Sequence, residues 1–276
     1  MQNGPAVRRR KLGAELRALR ALAGLTSGQA AHLVGWHQSK VSRIETGRSG
    51  VKPADVRLLL EAYEVRDPEL HELLVTLAGS DEDGRQNWWH AYRGLLPSTY
   101  SDFISLESQA DAMRTLENAV VPGLLQTPEY AREVTRAAVG RRASGGRDDA
   151  LVDALVKVRL ARQEVLRSDT PLRLSAVLDE AVLRRTVGGP DVMARQLERL
   201  REAAHLPHVR IQVLPFGAGA HAGVTGPFVI FSFTNRSDLD VVVLDHLTSS
   251  LYLERKEDLQ TYSETFDSLT VHALSP

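Results

Sequence analysis

The stretch from Thr26 to Gly50, TSGQAAHLVGWHQSKVSRIETGRSG, constrains the fold of this chain more than any other segment. Thr26 or Ser27 offers a hydroxyl to cap a short helix running through Val34. Gly35 permits a backbone turn that most residues resist, and a second short helix is predicted from about Gln38 to Thr46, stopped by Gly47. Ala30, Ala31 and Val34 are spaced to pack across the turn on Val41 and Ile44. Each helix then buries one face, which leaves His37, Gln38, Ser39, Lys40, Ser42 and Arg43 near the free side of the second helix. Ser27 at the start of the first helix and Arg48 just beyond the second complete the candidate contact set. This is the order of a helix-turn-helix, whose second helix enters the major groove of double-stranded DNA. The side chains suit a groove-reading helix, because Gln pairs with adenine, Arg with guanine, and Ser or Lys with bases or phosphate. A polar helical hairpin also occurs in ordinary all-helical cores, so the pattern alone leaves both readings open.

The register of the second helix narrows the choice. Its run SKVSRIETG resembles the XRE/Cro-repressor family, in which a Ser-x-Ile/Val-Ser-x-Ile/Leu-Glu-x-Gly pattern ends the recognition helix. The matching positions are Ser39, Val41, Ser42, Ile44, Glu45 and Gly47. Trp36 departs from the family, which has a smaller aliphatic residue there, and reads as a packing residue. The resemblance implies a compact bundle of four or five helices, and the flanking sequence has room for it. Leu12, Leu16, Leu19 and Leu22 mark an amphipathic first helix from about Arg8, ended by Gly24. Pro53 opens a fourth helix, and Asp67 caps a fifth that runs to Gly79. Residues 1–79 are therefore expected to form an all-α DNA-binding domain.

Charge is distributed to match. Residues 1–52 hold ten Lys or Arg against two acids, Glu15 and Glu45, a net of +8 in a chain whose total is −1. The remainder therefore carries −9, as expected of a phosphate-contacting head joined to a regulatory body. At 276 residues, with 43% hydrophobic and 25% charged content, the chain has the size and composition of two folded domains. No apolar run is long enough to span a bilayer, and the N-terminus lacks the apolar core of a signal peptide, so a cytoplasmic location without membrane contact is expected. With no cysteine, disulfides, thiolate zinc sites and cysteine nucleophiles are ruled out.

The polar run 80–87, GSDEDGRQN with Gly79, has linker composition, and a second domain is expected over 88–276. Trp88 and Trp89 could stack on bases, but without clustered basic residues they read better as a buried domain edge. Residues 104–118 read as mainly helical, Thr127 and Pro128 begin a further helix, and a long helix covers about 149–167 after a Gly/Arg-rich loop at 140–147. The period then changes to two: LRLSAVL (172–178), VRIQVL (209–214), FVIFSF (228–233) and LDVVVL (239–244) are predicted strands. Helices are expected over 191–204 and 259–269. With three of the strands read as joined by short hairpin-like turns, the predicted second domain is α+β with a mainly antiparallel sheet, and 228–233 and 239–244 are candidate edges for a partner.

A second resemblance appears in ordered blocks: Trp88-Trp89, VPGLLQTPEYAR (121–132), RQEVL (162–166), LDEAVLRRTVGG (178–189), IQVLPFGAGAH (211–221) and the closing ALSP. Together they are similar to the regulatory domain of actinobacterial XRE regulators known as DUF5753, or Scr1-family antitoxin-like. The resemblance implies a small DUF397-type protein partner and a part in actinobacterial development. It covers roughly residues 86–276.

Other sites carry less. The loop GAGAHAGVTG (217–226) lacks the Lys-Ser/Thr of a P-loop and the dinucleotide G-x-G-x-x-G order, and reads as a hairpin-like connection or a ligand-facing lid. His205 and His208 are close enough to share a metal but have no third ligand nearby. Asp179-Glu180 and Glu254 with Glu257 are acidic pairs without marks of a catalytic dyad, and no nucleophile elbow is present. No enzyme activity, cofactor or metal is expected. The sequence thus predicts a DNA-binding transcriptional regulator acting as a homodimer, whose second domain receives a protein or small-molecule signal. The alternative is an antitoxin-like protein that sequesters a partner while its DNA binding only autoregulates the pair; loss of the partner gene would then rescue growth instead of changing distant gene expression.

Overall fold

The computed structural model describes residues 6–47, 49–79, 96, 98–139, 147–233, 240–246 and 249–275. The chain divides into two compact units, 1–87 and 88–276.

The first unit is helical throughout: α1 (Ala6–Leu22), α2 (Ser27–Leu33), α3 (Gln38–Glu45), α4 (Pro53–Ala62) and α5 (Pro68–Gly79). Its interior takes Leu12 and Leu16 from α1, Ala30 and Ala31 from α2, Val41 and Ile44 from α3, and Val56, Leu59 and Leu60 from α4. Leu22 does not join them and is 85% exposed. At 3.6 residues per turn the leucine stripe drifts around the helix, and by Leu22 it has left the buried face. The starts of the helices are set by local chemistry. Thr26 forms a reciprocal capping box with Gln29, Pro53 stands in the first turn of α4, and Asp67 Oδ1 accepts from the backbone N–H groups of Glu69 and Leu70 (2.9 and 3.2 Å).

The second unit is an α+β domain built on one six-stranded sheet. Its strands are β1 (Ala112–Glu117), β2 (Arg173–Asp179), β3 (Val209–Leu214), β4 (Phe228–Ser232), β5 (Val241–Asp245) and β6 (Ser250–Leu253), in the order β3-β2-β1-β4-β5-β6. The pairings β1–β4, β4–β5 and β5–β6 are antiparallel, as expected of a mainly antiparallel sheet, while β1–β2 and β2–β3 are parallel. Parallel neighbours need long crossovers. Here β1 reaches β2 through α7 (Pro128–Val139) and α8 (Arg147–Arg162), and β2 reaches β3 through α9 (Glu180–Arg184) and α10 (Pro190–Ala203). The terminal helix α11 (Lys256–His272) covers one face, where Phe266 and Leu269 pack with Leu116, Val177, Leu214, Phe228, Ile230 and Val242. Phe231 points to the opposite face and meets Phe103 of α6 (Ser98–Gln109) edge-on at 5.2 Å.

Three expectations are corrected. Residues 104–118 are not one helix: α6 ends at Gln109 and β1 follows, forming the centre of the sheet. Its alternation is interrupted by Arg114 and Glu117, so the period-two signal is weak. The segments 228–233 and 239–244 are not edges, since β4 and β5 are paired on both sides. The loop 217–226 is not a hairpin: it leads from β3 at one edge to β4 beyond β1, with Gly223 buried against Leu116. Pairing partners across a sheet depend on connections that local alternation does not encode. The edge of β3 is met by the C-terminal tail, where Leu274 N–H donates to Val213 O (2.8 Å) and Gln212 Nε2 donates to the carbonyls of Thr270 and Leu274 (3.1 Å each).

Candidate nucleic-acid interface

The candidate interface is built on α3. Its inward stripe is Val41, Ile44 and Glu45, at i, i+3 and i+4. A stripe of that spacing leaves the other side of the helix free. Gln38, Ser39, Ser42 and Arg43 are all exposed there, and His37 is exposed as the N-cap residue, without a capping side-chain bond. The turn before α3 needs a backbone with positive φ, which Gly35 adopts at 69°.

The structure brings two of the predicted residues together. Gln38 Nε2 donates to Ser27 Oγ at 3.1 Å, linking the start of α3 to the start of α2. The second amide hydrogen and the Oε1 acceptor of Gln38 remain for a base edge, the pair of functions adenine requires. Arg43 lies in the last turn of α3 with no ion-pair partner among the described residues. Lys40 stands at the flank of the exposed arc, not its centre. Its ammonium is 3.1 Å from Asp55 Oδ2 on α4 and 3.4 Å from the centroid of the Trp36 ring. Trp36 therefore packs, as its sequence suggested, and it packs on the lysine. Arg48 lies outside the described residues, as do Trp88 and Trp89.

What seats α3 was not legible in its own residues. Glu45 is buried at the helix C-terminus, where a negative charge opposes the helix dipole. Arg20 of α1 compensates it with two bonds, Nε to Oε1 at 2.6 Å and Nη2 to Oε2 at 2.9 Å, while Nη1 donates to Leu25 O at 2.6 Å. The bond to Glu45 raises the pKa of Arg20. Burial, together with the Glu45 charge, raises that of Tyr63 beside the pair. Closer to the start of α1, Gly13 lies against the last carbonyls of α3: a β-carbon there would stand 2.4 Å from Ile44 O and 2.8 Å from Glu45 O.

In the second unit Asp179, Glu180, His205 and His208 all bond within the fold. Asp179 caps α9 by accepting from Ala181 N–H (2.8 Å), and Glu180 accepts from Phe216 N–H (2.8 Å) while pairing with Arg184 (2.7 Å). His205 and His208 bond separate backbone carbonyls, those of Arg201 (2.7 Å) and Leu166 (2.9 Å). Among the described residues no group of three or more His, Asp or Glu could hold a metal. The polar core of this unit instead surrounds the segment 121–127. Arg162, buried, forms a bidentate pair with Glu107 (2.7 and 2.6 Å) and donates to the Tyr100 hydroxyl (2.7 Å). Nearby, half-buried Glu117 ends β1, and desolvation lifts its carboxyl to about 7 with a smaller contribution from Asp245. A cavity of about 530 Å³ opens beside this segment, lined by Gln126, Thr127, Leu160, Gln163, Arg167 and Arg199.

A bundle that presents a polar helix behind a tight turn, joined to a separate α+β unit, defines a helix-turn-helix protein with an appended domain. Residues 11–74 match the family model described as a helix-turn-helix domain, which supports a DNA-binding regulator in preference to an enzyme. Residues 100–276 match the domain of unknown function DUF5753; this is more than half of the chain, which therefore belongs to that family. Among curated proteins no match to the chain is found. No helix among the described residues is long and apolar enough to cross a membrane.

Proposed function

We propose that this protein is a sequence-specific transcriptional regulator of the XRE type, which reads double-stranded DNA by laying α3 in the major groove. The observation that carries the reading is the exposed arc of α3, where Gln38 is braced by Ser27 and Arg43 stands open while Val41, Ile44 and Glu45 anchor the helix from behind. His37, Ser39 and Ser42 on the same side, and Arg48 beyond it, are further contact candidates. Lys40 is a flanking phosphate contact.

One short helix spans too few base pairs to select a genomic site, so the working unit is a homodimer reading two half-sites about 34 Å apart. The second unit is the receiver of a signal. Its near-neutral charge, a net of −3 over residues 88–276, gives it no electrostatic attraction to DNA, its size exceeds what dimerisation requires, and the open cavity beside 121–127 is the place proposed for a small ligand as one input. A small DUF397-like protein is the other candidate input, carried by the resemblance noted in the sequence. The setting is cytoplasmic.

The test begins with selection of bound duplexes from a random pool by the full chain, followed by titration of Gln38→Ala and Arg43→Ala. Each variant is expected to lose about 1–3 kcal/mol on the selected site and to relax choice at one base position in each half-site. Wild-type affinity in both variants, or a footprint without two half-sites, would show that α3 does not read the DNA as a dimeric pair.

A further inference from the structure

We infer that Asp55 is an internal substitute for a DNA phosphate, holding Lys40 in the DNA-free protein and so restraining sequence-blind binding. The inference rests on the reading of α3 as the recognition helix.

Lys40 is the one basic side chain within α3 that already has an anionic partner among the described residues. Its Nζ meets Asp55 Oδ2 at 3.1 Å, and Trp36 lies across its other side with the ring centroid at 3.4 Å. Asp55 comes from the first turn of α4, not from α3, and its only ion pair among the described residues is this one. Both side chains remain partly open, at 39% and 27% exposure, so an approaching phosphate can reach the pair. A carboxylate presents the ammonium with what a phosphodiester presents: oxygen acceptors and a full negative charge.

The geometry has two effects on DNA. While the pair stands, Lys40 neutralises no phosphate and releases no counterion on encounter. At the same time Asp55 places a negative charge within one side-chain length of the groove-reading helix, where it repels the backbone. Both effects are independent of sequence. At a matching site the contacts of Gln38 and Arg43 offset them; at random DNA nothing does. Asp55 therefore lowers affinity for every duplex alike, so that appreciable binding remains only where Gln38 and Arg43 add base contacts; the ratio of specific to non-specific affinity is set by those contacts.

The experiment uses the full chain and a random-sequence DNA duplex, with fluorescence anisotropy followed over a series of salt concentrations. Asp55→Asn keeps the size and hydrogen-bonding shape of the side chain and removes the charge. It is expected to tighten binding about fivefold at low salt and to steepen the slope of log affinity against log salt by about 0.9, the signature of one added phosphate contact. In a Lys40→Gln background the same change should steepen the slope by clearly less, because the freed cation is missing and only the repulsion by Asp55 is removed. Circular dichroism melting accompanies each variant. An unchanged or flatter slope for Asp55→Asn, with helicity retained, overturns the inference, as does a slope change of undiminished size without Lys40. Loss of helicity in Asp55→Asn also overturns it, assigning the pair to packing alone. Failure of the underlying reading looks different: the wild-type chain itself would then show no salt-dependent binding to duplex DNA.

Discussion

Single residues in this protein divide into those whose role follows from chemical type and those whose role follows from a neighbour. Gln38 and Arg43 belong to the first kind: in the proposed reading their exposed amide and guanidinium groups on α3 serve as base readers because those groups match adenine and guanine edges. Glu117 belongs to the second. By type it is an ordinary carboxylate, yet burial at the end of β1 lifts it to about 7. Between its unfolded value near 4.5 and its folded value, the folded chain binds more protons than the unfolded chain. Stability from this group is thus present at acid pH, is lost as pH rises toward about 7, and stays level above. Glu117→Gln removes the cost of burying the charge. The variant should be more stable than wild type at pH 8, by on the order of 1–2 kcal/mol after allowing for partial exposure, and the advantage should shrink toward pH 4. Denaturant unfolding at the two pH values checks it; an advantage that is equal at both would place the effect in packing.

At the scale of elements, the seat of α3 is decided by α1. The Arg20–Glu45 pair and the bare backbone of Gly13 hold the two helices at one distance and angle, and neither can change without the other element moving. Gly13→Ala tests this seat. The added methyl meets backbone oxygens, which cannot swing aside as a side chain would, so the expected cost is about 1–3 kcal/mol despite the higher helix propensity of alanine. Thermal unfolding of the full chain, read on its helical signal, gives the number. A variant as stable as wild type would mean that α1 and α3 slide apart without penalty and that the close contact sets nothing. The elements themselves were largely readable. Caps at Thr26 and Asp67, Pro53, and the leucine and valine periods placed α2 through α5 because these signals act within one turn of chain. β1 escaped notice because Arg114 and Glu117 interrupt its alternation, and β6 because it is only four residues long.

For the whole molecule, the receiver reading makes a thermodynamic demand. A partner that binds the DNA-competent and DNA-incompetent states equally shifts nothing, so any regulation requires a difference in affinity between them. Titrating the operator with the full chain, with and without a saturating DUF397-like protein, is expected to show a change of about 5-fold or more, in line with typical coupling of about 1–3 kcal/mol. Unchanged operator affinity would leave the second unit a structural role. By itself the sequence determined the helix-turn-helix, its candidate contacts, the basic first 52 residues, and the α+β class of the second unit. All of these are written in short-range periods, caps and composition. Tertiary structure alone decided that β1 sits at the centre of the sheet with parallel and antiparallel neighbours, that Arg20 clamps Glu45 across 25 positions, and that Lys40 is held by Asp55 instead of standing free. The physical reason is common to all three. Strand order and ion pairing join groups far apart in the chain, and which of many equivalent strands or charges meet is settled only when the burial of apolar faces brings their elements together.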